Sequence, residues 1–323
     1  MMNQKKYLII LSASLVLLGA VIALYFILPK ATLEKVTKKS DEYIYYADIF
    51  NFTLSDDESY YAITSLKERH QKDQNITIPK SIDNIPVKKW IGDQGNFTSW
   101  RYIKQVDIPE TIEYIGDSME DEGILHGGTY GNKIMICEGS ELVSFNVNKD
   151  NPVYRSVDGV LFSKDLSVLI RYPNAKVGDQ PNLWYNISSD VKEVYDYAFY
   201  RNTKLNRVTL GENVEKINSF AFCECINLKN VDLNNKVTEI GQLAFKETGL
   251  IRIDLPNTIE SLGVRAFGSN EDLEYVYIPS SIKSIKENCF SICKLLKVYT
   301  ESENIEYLKS LYSWKNIEIL PVE

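Results

Sequence analysis

Two histidines, His70 and His126, are the only imidazoles in the chain, so acid–base chemistry near neutral pH has few carriers. His126 lies eleven residues before Cys137. A thiol beside an imidazole is the start of a nucleophilic pair, but no third group is spaced to orient the ring. Gly-x-Ser-x-Gly, His-Glu-x-x-His and Walker patterns are absent from the sequence. Asp117, Glu120, Asp121 and Glu122 form an acidic cluster without the alternating oxygens and closing bidentate acid of a calcium loop. Gly127-Gly128 and Gly131 are followed neither by a helix start nor by Lys-Ser/Thr, so they do not read as a phosphate cradle. The expectation is a chain without catalytic residues, metal site or cofactor, in which these residues belong to solvated loops.

The elements that place the remaining side chains follow from one recurrence. An aliphatic residue precedes a phenylalanine by five positions at Val194–Phe199, Ile217–Phe222, Ile240–Phe245, Leu262–Phe267 and Ile285–Phe290. Successive phenylalanines are 23, 23, 22 and 23 residues apart. Ala198, Ala221, Ala244 and Ala266 stand just before them, and Cys289 takes the last such place. A fixed period in the twenties means one small unit stacked many times. Leu205, Leu228, Leu250, Leu273 and Leu295 open the unit, and Val208, Val231, Ile253, Val276 and Val298 follow. Leu210, Leu233, Leu255 and Ile278 come two further on, which is the period of a strand. Pro256 and Pro279 then end it, having no N–H for a ladder. The Ala-Phe segment is expected to make a helical or 3₁₀ turn on the opposite side. Each unit is too small to hide its apolar face alone.

If the aliphatic residues of these strands point inward, their neighbours point outward. The outward set is Trp184 and Asn186, Arg207 and Thr209, Asn230 and Asp232, Arg252 and Asp254, Tyr275 and Tyr277, and Lys297 and Tyr299. Strands ~4.8 Å apart would arrange them as two ladders on one face. Aromatics flanked by charge suit protein or glycan recognition. A solvent-facing sheet that binds nothing, rich in tyrosine through β-propensity alone, explains the same residues.

The run Leu205-x-x-Val208-x-Leu210-x-x-x-Val214-x-x-Ile217-x-x-x-Ala221-Phe222 resembles the BspA-type leucine-rich repeat of bacterial surface proteins. Ile108-Pro109-Glu110-Thr111-Ile112 with Ile115-Gly116 resembles its proline-bearing form, and Ile76-Thr77-Ile78-Pro79 its first repeat. Residues 117–139 lack the Ala-Phe step, and Lys286 stands where Gly241 and Gly263 occur in earlier units. The resemblance implies a β-rich (α/β) leucine-rich-repeat solenoid over residues 43–300 with 22–23-residue units. It also implies a hairpin insertion at about 153–173 and a C-terminal cap over 301–323, closed by Tyr312 and Trp314.

Five cysteines (Cys137, Cys223, Cys225, Cys289 and Cys293) are an odd number without zinc-ribbon spacing, so no disulfide framework is read. Cys225, Cys289 and Cys293 fall at repeat positions and are expected as small core residues. The net charge of −8 argues against a general nucleic-acid binder.

Residues 7–28 are apolar and uncharged, long enough as a helix for the ~30 Å hydrocarbon core. The run exceeds a signal peptide's apolar region and ends without small residues for cleavage. It is read as an uncleaved transmembrane anchor after a cytoplasmic tail, residues 1–6, with a juxtamembrane linker at 29–42. Lysines on both sides leave the positive-inside count even; the short N-terminal tail favours export of the repeat domain. The expected function is a membrane-anchored, non-catalytic surface protein that binds a protein or glycan, or else an envelope spacer or sensing scaffold without its own ligand.

Overall fold

The computed structural model describes residues 39–67, 74–91, 102–116, 141–179, 183–294, 296–311 and 317–322. The anchor expected at 7–28 lies outside these residues, as do His70, His126, Cys137, the acidic cluster, the glycine loop, Leu295, Tyr312 and Trp314. Among the described residues no helix is long and apolar enough to cross a membrane. The chain divides into two compact units, Met1–Asp48 and Ile49–Glu323. The described part of the first is Lys39, Ser40 and most of the helix Asp41–Ile49, none of whose residues is buried. Helix replaces the β-structure that the aromatic content of 43–49 suggests. Ser40 supports it by accepting the Tyr43 N–H at 2.9 Å, as an N-cap side chain does.

The second unit begins with an antiparallel pair, Phe50–Leu54 and Tyr61–Leu66, to which Ile85–Ile91 adds in parallel. From there the chain coils. Val-x-Leu strands of three or four residues form one side, and a second set of strands only two residues long forms another. The second set comprises Glu193–Val194, Lys216–Ile217, Glu239–Ile240, Ser261–Leu262 and Ser284–Ile285. With the hairpin Tyr154–Val157, Val160–Ser163 and Val168–Arg171 it makes one continuous eight-stranded sheet.

The first side is not continuous. It comprises a sheet of Asn75–Thr77, Gln105–Ile108 and Ser144–Val147; a sheet of Trp184–Asn186, Arg207–Thr209 and Asn230–Asp232; and a sheet of Arg252–Asp254, Tyr275–Tyr277, Lys297–Thr300 and Glu318–Pro321. Spacing within the coil is unequal. Tyr185, Val208, Val231, Ile253 and Val276 each precede their phenylalanine by fourteen residues. The return from phenylalanine to strand takes nine residues, or eight at Phe245–Ile253 and Phe290–Val298. The short return at Phe245 coincides with the break before Arg252–Asp254. The one at Phe290 keeps its pairing, so length alone does not account for the break.

The Ala-Phe segment is neither helical nor 3₁₀. It is a turn with two left-handed residues four apart: Tyr197 and Arg201, Phe220 and Glu224, Leu243 and Glu247, Arg265 and Ser269, Asn288 and Ile292. Bulky side chains rarely adopt that conformation, and the hydrogen bonds show what holds it. Tyr197, Phe199 and Arg201 donate their N–H groups to the carbonyls of Ser219, Ala221 and Cys223 in the next coil. Phe220, Phe222 and Glu224 do the same to Gln242, Ala244 and Lys246, and the pattern continues through Ser269. A helical turn would spend these donors internally. Alternating the backbone hand aims every second N–H along the stack.

Inside that turn the phenylalanine rings stack face to face. Phe199, Phe222, Phe245, Phe267 and Phe290 follow one another at 4.7, 5.0, 5.3 and 5.2 Å with interplanar angles of 11° or less, and Tyr172 extends the column at 5.0 Å. The rings are 4 % exposed or less, and burial of each contributes about 1.5–3 kcal/mol. Three residues after each phenylalanine is a polar slot holding Asn202, Cys225, Thr248, Asn270 and Cys293. Cys225, Asn270 and Cys293 donate to the carbonyls of Phe199, Phe245 and Phe267. Cys225 and Cys289 are buried as expected, whereas Cys293 is half-buried. Burial pushes the Cys293 thiol up to about 11 and those of Cys225 and Cys289 higher still. Leu296 is buried in the last coil. The helix Ile305–Ser310 buries Leu308 in the main core at the C-terminal end.

Candidate functional site

None of the twelve outward residues is buried, while Val208, Val231, Ile253, Val276 and Val298 between them are 8 % exposed or less. Parallel pairing places them on rungs. Trp184, Arg207 and Asn230 align, as do Asn186, Thr209 and Asp232. Arg252, Tyr275, Lys297 and Glu318 form one line of the next sheet, and Asp254, Tyr277, Tyr299 and Leu320 the other. The structure therefore brings together two groups, not one ladder of twelve.

In the first group Arg207 is fixed from both sides. Its guanidinium lies over the Trp184 ring at 5.1 Å, and its Nε reaches Asp232 Oδ2 at 2.6 Å. Thr209 Oγ1 donates to the same carboxylate oxygen at 3.0 Å. In the second group Arg252 grips Asp254 through Nε at 2.9 Å and Nη2 at 3.0 Å, and lies over Tyr275 at 4.2 Å. Tyr275 stacks on Tyr299 at 4.7 Å. Lys297 reaches Glu318 at 3.6 Å. Tyr277 donates to Glu301 at 2.5 Å; burial, then that hydrogen bond, pushes its hydroxyl up to about 12. Burial, with Asp254 beside it, raises Tyr275 as well. Both phenols therefore stay protonated donors at neutral pH. A cleft of about 620 Å³ opens beside this end, lined by Tyr275, Lys294, Lys297, Tyr299 and Glu318 among others.

Residues 187–318 match the model of the BspA type leucine-rich repeat region in six copies. This stretch belongs to the BspA-type leucine-rich repeats. No curated protein matches the chain. Among solved structures it is similar to the pneumococcal vaccine antigen PcpA at 18% identity, over 85% of this chain and 100% of that one, with a TM-score of 0.43. A leucine-rich cell surface protein of Faecalibacterium prausnitzii is 19% identical over 84% of this chain and 93% of that one, with a TM-score of 0.44. A leucine-rich repeat protein of Bacteroides ovatus is 19% identical over 85% and 76%, with a TM-score of 0.41.

Upstream of the matched BspA-type repeats, a third outward group shares the geometry but not the chemistry. Asn75, Gln105 and Ser144 align, as do Thr77, Asp107 and Asn146. Asp107 accepts from Thr77 at 3.1 Å, Gln105 at 3.0 Å and Asn146 at 2.9 Å. This group holds no aromatic residue and no cation. The alternation Ile76-Thr77-Ile78, Val106-Asp107-Ile108 and Phe145-Asn146-Val147 carries its signal in the sequence. Among the described residues no set of three or more His, Cys, Asp or Glu side chains is grouped to hold a metal ion.

Proposed function

We propose that the two outward groups between Trp184 and Tyr299 form a recognition surface for a protein or glycan partner, carried outside the cytoplasm by an anchor at residues 7–28. The supporting observation is how the ladder is built. Tryptophan, tyrosine and arginine, the residues enriched at binding hot spots, are held by neighbours before any partner arrives, which lowers the ordering cost of binding. Arg207, Arg252 and Lys297 are matched on the same strands by Asp232, Asp254 and Glu318, so this strip is balanced in a chain of net charge −8. It therefore presents no like-charge barrier to an acidic partner.

Joint replacement of Trp184, Tyr275 and Tyr277 by alanine tests the reading. Partner capture by residues 40–323 should fall at least tenfold with melting unchanged; capture that survives would leave the repeats as a spacer. Protease added to intact cells should digest the repeat domain; its protection would reverse the proposed orientation.

A further inference from the structure

The ligand of the C-terminal group follows from which parts of its rings are free. Arg252 comes from the coil before Tyr275 and Tyr299 from the coil after it. The guanidinium at 4.2 Å and the Tyr299 ring at 4.7 Å thus occupy opposite faces of Tyr275. Arg252 is not free to leave, because Asp254 clamps it by two hydrogen bonds on the same strand. A sugar that stacks on an aromatic residue needs an open π face, since the attraction is between its C–H groups and the negative face of the ring. Tyr275 offers only an edge and a hydroxyl, as does the side of Tyr299 turned toward it.

We infer that the Arg252–Tyr275–Tyr299 column recognises a polypeptide, by tyrosine edge and hydroxyl contacts, rather than a carbohydrate. Protonated hydroxyls are donors for the regularly spaced carbonyls of an extended chain. The charge-balanced strip admits acidic segments that the rest of this acidic molecule repels. Asp254 is then a positioning residue: it touches no ligand but keeps Arg252 seated on the ring.

This inference rests on the recognition reading above, and one experiment separates their fates. The fragment 40–323 is probed with a phage-displayed peptide library and with a glycan array, as wild type, as Tyr275→Phe/Tyr299→Phe and as Asp254→Asn. Peptides should be captured, and the double phenylalanine variant should lose about tenfold in capture through its missing hydrogen bonds. Asp254→Asn should weaken the same peptides while melting stays unchanged. A glycan whose signal depends on Tyr275 and Tyr299 would overturn the inference and leave the recognition reading standing. If no captured peptide or glycan responds to either variant, the inference fails. If the Trp184/Tyr275/Tyr277 triple alanine variant is equally without effect, the recognition reading fails with it.

Discussion

The two sides of each coil solve different problems with the same backbone. On the phenylalanine side, contacts run unbroken through the five repeat rings and the eight-stranded sheet. On the strand side the sheet is interrupted, and outward chemistry changes from amides and Asp107 to Trp184 and Arg207, then to Tyr275 and Tyr299. The first side has one acceptable residue at most positions, set by stacking and by turn hydrogen bonds. The second tolerates any side chain that leaves the inward Val or Ile in place. Register is kept by one face, and the other is thereby released to vary.

The sharpest way to break this comparison is to remove one ring. Phe245→Ala should cost about 3–5 kcal/mol in denaturant unfolding, whereas Tyr275→Ala, half-exposed on the other side, should cost about 1 kcal/mol or less. Equal costs would dissolve the distinction.

Asp196 sharpens it, because it sits in the phenylalanine turn and is the group there that pH should reach. Burial first, with Glu193 nearby, pushes its carboxyl up to about 6 although it accepts the Ser219 N–H at 2.8 Å. A carboxyl with a raised folded pKa contributes stability that is full below its unfolded value of 3.8 and is lost as pH rises through about 6. Asp196→Asn should therefore unfold about 1–2 kcal/mol later than wild type at pH 7. The two should converge below about pH 4. A difference independent of pH would remove the titration account.

A smaller effect is expected in the polar slot. Cys225→Ala should cost about 1–2 kcal/mol by leaving the Phe199 carbonyl without its donor, and Cys225→Ser should recover part of it. Neither Cys225 nor Cys289 should react with iodoacetamide before unfolding, since both are buried and protonated. Smallest of all, Arg207→Ala should change stability by less than about 1 kcal/mol, as the pair it breaks is at the surface.

Much of the strand side is legible in the sequence, because Val208-Thr209-Leu210 and its counterparts alternate with period two. The second set of strands is not. Lys216–Ile217 and its equivalents are two residues long, too short to show alternation, and their pairing exists only once coils stack. Nor does composition reveal the left-handed turn. Tyr197, Phe220 and Leu243 are poor choices for that conformation on local grounds, and bonds to the next coil override the preference. Slot residues such as Cys225 and Asn270 look unrelated until a shared carbonyl acceptor connects them. For the candidate site, sequence yields the outward positions but not their division into two groups, since the two short returns, at Phe245 and Phe290, read alike.

The turn ladder has an evolutionary reading. Its bonds run from backbone N–H to backbone carbonyl, from Tyr197 to Ser219 and onward, and no side chain takes part. Any coil that can turn this way can therefore sit beside any other. Copying or deleting whole coils by unequal recombination would leave the joints intact, so the length of such a protein can drift between lineages while the residues displayed on each new coil diverge independently.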